Sequence, residues 1–91
     1  MKAIYKYPFN LQGIINIEMP KDAQILSIQV QHEIPCIWAL VNPKAKKEIR
    51  KFVLHGTGSS IKILPEMKHI GTFQLEGGNF IGHLFEYKNK Y

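Results

Sequence analysis

The sequence predicts a mainly β protein: about seven short strands in a small sandwich or barrel, with little or no helix. Three observations lead there. Apolar and polar residues alternate over short runs, turn-forming residues recur at roughly ten-residue spacing, and no stretch keeps a helical period. At 91 residues the chain is read as a single β-rich domain, 1–91.

Lys2 to Tyr7 reads as the first strand, closed by Pro8-Phe9-Asn10. Ile14 to Met19 sets Ile15, Ile17 and Met19 against Asn16 and Glu18. Pro20-Lys21-Asp22 is a turn, with proline fixing φ and aspartate bonding locally. Gln24 to Gln31 alternates most clearly, with Leu26, Ile28 and Val30 on one face and Ser27, Gln29 and Gln31 on the other.

His32-Glu33-Ile34-Pro35 leads to Cys36 to Val41, apolar on both faces as in a central, doubly covered strand. Asn42-Pro43-Lys44 ends it, and Lys44 to Lys47 is a cationic turn. Glu48 to His55 is the next strand, and Gly56 to Ser60 a hydroxyl-rich loop. Ile61 to Leu64 reads as a short strand or an irregular stretch. His69 to Leu75 and Phe80 to Tyr87 form a final hairpin, where Gly77 and Gly78 supply the positive φ of its turn. Lys88 to Tyr91 is a polar tail. Inward positions then assign the core to Leu26, Ile28, Val30, Trp38, Leu40, Phe52, Leu54 and Phe73.

The net charge is +5, and eleven of the twelve cations are lysine, Arg50 being the exception. Nucleic-acid readers lean on arginine, so a generic basic surface or a site for a small anion fits at least as well as nucleic acid. A lone cysteine, Cys36, excludes an internal disulfide and a cysteine zinc site, and reads as a buried thiol. The start lacks a signal-peptide pattern, and no apolar run reaches about 18 residues, so a cytoplasmic protein without a membrane span is expected.

Catalytic constellations are missing from the pattern. No Gly-x-Ser-x-Gly elbow occurs, Asp22 is the sole aspartate, and His32, His55, His69 and His83 are spread over four segments. The chain is therefore expected to bind without catalysing, and to need neither metal nor cofactor. The foremost binding candidate is the loop of Gly56, Thr57, Gly58 and Ser59, with Lys62 after it. Glycines let amides approach a phosphate, and hydroxyls and a cation add donors. Arg50 is expected nearby, Gln29 and Gln31 to read a base edge, and Tyr5, Tyr7 or Trp38 to stack on it. The small size and the two-faced apolar strands also point to self-association.

The segments Ile4-Tyr5-Lys6-Tyr7-Pro8, Ile25 to Gln31, Pro35 to Val41, Gly56-Thr57-Gly58 and Ile70-Gly71-Thr72-Phe73-Gln74 together resemble a family of short phage- and prophage-encoded proteins of unknown function. After Gly58 the chain departs from that family's histidine and proline with Ser59 and Ser60. The resemblance implies a phage setting, and with it a protein of the infected bacterial cytoplasm. In that setting a non-enzymatic protein can counter host defence by sequestering a small, cyclic nucleotide signal. The alternative is a protein–protein module that inhibits a host protein directly or serves phage structure and assembly.

Overall fold

Alternation becomes two antiparallel sheets in the computed structural model, which describes residues 1–88. Its strands are β1 (Ala3–Pro8), β2 (Ile14–Pro20), β3 (Gln24–Gln31), β4 (Ile34–Val41), β5 (Lys47–Gly56), β6 (Met67–Leu75) and β7 (Phe80–Tyr87). The sheets are ordered β1-β4-β3 and β2-β5-β7-β6. They share no ladder, so the described residues form two layers and not a closed barrel. A single 3₁₀ turn, Glu76–Gly78, is their helical content, and none of their helices is long and apolar enough to cross a membrane. Positions 89–91 of the expected tail lie outside the described residues.

One buried cluster joins the layers. Ile37, Ala39 and Val41 of β4 and Ile28 of β3 meet Ile15 and Met19 of β2, Phe52 of β5, Phe73 and Leu75 of β6 and Leu84 of β7. Phe9 closes the cluster edge-on against Phe73, ring centroids 6.0 Å apart. The inward residues of each strand sit two apart, as the pleat requires.

Two features correct the core expected from sequence. In β4 the inward set is Ile37, Ala39 and Val41, so Trp38 and Leu40 are half-buried on the outer face. β4 is central in its sheet, but its second apolar face is not covered by another layer. In β3 a bulge between Ile25 and Ser27 leaves Leu26 without a cross-strand partner and 45% exposed. The bulge turns Ile25 inward, where it packs on the core in Leu26's stead. Ile28, Phe52 and Phe73 are core as expected, and Val30 and Leu54 pack at its margin.

The turns follow local chemistry. Gly77 and Gly78 have φ of 65° and 96°, as the last hairpin demands. The β3–β4 hairpin reaches the same left-handed region with His32 (φ 52°) and Glu33 (φ 64°), which carry no glycine signal. Glu33 Oε1 then accepts the Glu76 amide at 3.1 Å and joins this hairpin to the β6–β7 turn. β5 and β6 both run antiparallel to the β7 strand between them, so residues 57–66 cross from one end of the sheet to the other. The crossing contains Ile61 to Leu64, which is irregular and not a strand.

At the far end of β5, Arg50 is held on three sides. Its Nε and Nη2 donate to Glu86 Oε2 (2.5 Å) and Oε1 (3.0 Å), and Nη1 donates to the Ala23 carbonyl (2.8 Å). Glu86 is only 4% exposed. Its hydrogen bond raises the Arg50 pKa above the usual guanidinium value, against the opposing pull of burial. Burial, helped by neighbouring Tyr5, likewise raises the Tyr7 phenol.

Removing one partner of this pair strands a buried charge. Glu86→Ala is expected to lose about 3–5 kcal/mol in urea unfolding, and a joint Arg50→Met, Glu86→Leu variant to recover much of it. A Glu86→Ala midpoint equal to the parent's would show that the pair does not hold the fold. Glycine contacts give a second test. A Cβ on Gly82 would meet Phe73 Cζ at 2.7 Å, whereas one on Gly13 would meet nothing within 4 Å. Gly82→Ala should therefore cost about 1–3 kcal/mol, and Gly13→Ala should be neutral or gain up to about 1 kcal/mol in the same assay.

Candidate functional site

Strand register decides which expected residues meet. Across β1-β4-β3, Lys6, Trp38 and Ser27 form one row, and Pro8, Cys36 and Gln29 form the next. Directly paired residues point to the same side of a sheet, so this row set lies on the outer face, away from the core. Gln31, paired with Ile34, continues it. The structure thus brings together Trp38, Gln29 and Gln31 of the expected residues and adds Lys6 and Ser27.

Lys6 Nζ donates to Gln31 Oε1 at 2.6 Å and lies 6.0 Å from the Trp38 ring centroid. Its side chain therefore reaches diagonally over β4. Cys36 is 1% exposed although it belongs to this outer face, and its thiol donates to the Ile34 carbonyl at 3.4 Å. Trp38 Nε1 is shielded from solvent and makes no hydrogen bond among the described residues. A shielded donor without an acceptor is costly.

Tyr5 and Tyr7 do not join this face. They pair with Ala39 and Ile37, inward residues of β4, and so stand on the opposite side of β1, ring centroids 6.4 Å apart.

The glycine loop belongs to the other sheet and is closed on itself. The Thr57 amide donates to the Ile81 carbonyl, and the Ser59 amide and hydroxyl both donate to the Gly56 carbonyl. Gly58 takes φ of 89°, as a turn glycine does. The Thr57 and Ser59 amides expected to face a phosphate are thus engaged within the protein. Arg50 is six residues away from Gly56 along β5, about 20 Å at strand spacing, and is bound to Glu86. Lys62 is exposed on the crossing segment. Within one copy of the chain, then, the loop, Arg50, the two tyrosines and the Trp38 face occupy four separate places.

A second polar cluster escaped sequence reasoning. On the outer face of the four-stranded sheet His55 pairs in register with His83, and His83 with Thr72. Thr57 and Thr72 hydroxyls are bonded to His83 Nε2 (2.6 Å) and Nδ1 (3.0 Å). A neutral imidazole donates through one nitrogen and accepts through the other, so one hydroxyl accepts and its counterpart donates. The effect is to pin the start of the 57–66 crossing to β7 and β6. Register pairing is the signal that unites these residues, and linear spacing does not carry it. Among the described residues no cluster of three or more His, Cys, Asp or Glu side chains is placed to hold a metal ion.

Searches for similar proteins give no match among curated proteins or among solved structures. One family model, described as a domain of unknown function (DUF7352), matches residues 1–91. The chain therefore belongs to the DUF7352 family.

Proposed function

We propose that the protein is a non-enzymatic binding protein that sequesters a small anionic nucleotide on the outer face of β1-β4-β3. The reading rests on Trp38, whose half-buried ring lies on this face with Lys6 over it and Gln29 and Gln31 on the neighbouring strand. A base stacked on an aromatic ring gains about 1–3 kcal/mol. Lys6 is placed to give a charge-assisted hydrogen bond to phosphate once it leaves Gln31, which frees that amide for the base edge. The phage setting implied by the sequence resemblance gives such sequestration a purpose, namely removal of a cyclic nucleotide signal of host defence. The protein then acts in the cytoplasm of the infected cell and needs no cofactor.

A second reading is a protein–protein module on the same face. Ile4 (61%) and Ile34 (49%) are exposed there, with Leu26 at the adjoining bulge. Isolated exposed apolar residues are ordinary, but several around one tryptophan favour a docking surface, including one between copies of this chain.

Trp38 is the sole tryptophan, so its fluorescence reports the site directly. Titration with mono-, di- and cyclic nucleotides should quench or shift the emission for one ligand class. The same ligand at 100 times its dissociation constant should add about 2.7 kcal/mol of stability. Lys6→Ala should weaken it by about tenfold. Unchanged emission with every nucleotide at about 1 mM, a concentration matching the weakest meaningful affinity, would remove the nucleotide reading. Self-association has its own measurement: light scattering at micromolar concentration should give a multiple of 10.5 kDa, and a monomer mass would refute it.

A further inference from the structure

The two sheets part where the start of β3 meets the start of β6. The cleft between them has a volume of about 270 Å³, and Arg50, Lys68 and Lys88 contribute its charged side chains. No acidic residue lines it among the described residues. Glu86, which pairs with Arg50, is not part of the lining.

Three properties set this cleft apart from an ordinary basic surface. First, its central cation is fixed. Arg50 carries five N–H donors, of which Nε, Nη1 and Nη2 each use one on Glu86 or Ala23, so one hydrogen on each Nη remains. A guanidinium already clamped by a carboxylate loses little side-chain freedom when it binds again. Second, Lys68 stands directly across from Glu86 in the β6–β7 register, yet the Glu86 carboxylate forms its ion pair with Arg50. Lys68 therefore has no carboxylate partner among the described residues. Third, both strands bulge here. Leu26 in β3 and Ile70 in β6 have no cross-strand partner, and both line the cleft. Bulges re-aim side chains and interrupt pairing, so both ladders are broken beside these three cations.

We propose that this cleft binds a phosphate-sized oxyanion, as the free ion or as the phosphoryl group of a larger ligand. The spare Arg50 hydrogens supply directed donors, and Lys68 and Lys88 supply charge from the rim. The oxyanion then links the edge strands of the two sheets through charge-assisted hydrogen bonds. This site does not rest on the Trp38 face, which lies on the outer surface of β1-β4-β3, centred on β4, and not between the sheets.

The test is calorimetric titration of the full chain with inorganic phosphate, pyrophosphate and a nucleoside monophosphate, at ionic strength held constant with chloride. Saturable binding is expected. Lys68→Gln and Lys88→Gln, both at exposed positions, should each weaken it by about tenfold. Equal affinity for phosphate and pyrophosphate would identify a free oxyanion, whereas tighter binding of the monophosphate by the Lys6→Ala variant would identify a phosphoryl group on a larger ligand. Phosphate acting no differently from chloride, or both variants binding like the parent, would overturn the site. Lys6→Ala separates the two proposals: it should leave phosphate binding in the cleft unchanged while weakening any ligand seen through Trp38 fluorescence.

Discussion

A guanidinium held on three sides sets where the two sheets of this protein part. Arg50 belongs to the four-stranded sheet, as does Glu86, but the Ala23 carbonyl it also binds stands at the entrance to β3 in the other sheet. One side chain therefore fixes the distance between layers at that end. Replacing a buried ion pair by apolar residues is often no loss in free energy, so what the pair contributes is definition. It selects one register of β5 against β7 and one position for the β2–β3 turn. The opposite end is joined by a different device, the Glu76 amide on Glu33. Between these ends the apolar cluster supplies the drive for burial, and the polar ties choose its alignment.

Much of the fold was legible because strands here are half-buried and alternate. The positions of β3 and β7 agree with the alternating runs residue for residue. The failures have definite causes. β4 is apolar at every position, so nothing in its sequence says which parity faces in, and the smaller residues Ala39 and Val41 went inward instead of Trp38 and Leu40. The β3 bulge shifted the phase at Leu26, and a one-residue shift sends a side chain to the other face. The β3–β4 connection was placed at His32 to Pro35 but is tighter, with β4 starting at Ile34, because His32 and Glu33 adopt a backbone conformation normally signalled by glycine or asparagine.

The candidate site was legible in half. Gln29 and Gln31 were singled out on one strand and Trp38 on the next, and register placed them on one face. Lys6 was missed because only the pairing of β1 with β4 puts it beside Trp38. The glycine loop drew attention through composition, which states what amides can reach but not what they already bond. Its Thr57 and Ser59 amides find partners within the protein, and His83 holds its threonine from below. Arg50 was read as a ligand cation beside the glycine loop; the fold holds it away from that loop, bonded to Glu86 and the Ala23 carbonyl, with donors left over.

The position of β7 has a consequence for how the molecule is made. The strands of the smaller sheet are all synthesised by Val41, so it can assemble while the rest of the chain is still emerging. The larger sheet cannot. Its last strand in sequence lies inside it, between β5 and β6, and β6 has no other ladder partner. Until Phe80 to Tyr87 arrives, β6 has nothing to pair with and β5 shows an open edge toward the gap. Such edges invite pairing with other chains. Insertion of Phe80 to Tyr87 between β5 and β6 is therefore the step that closes the larger sheet and removes this exposed edge.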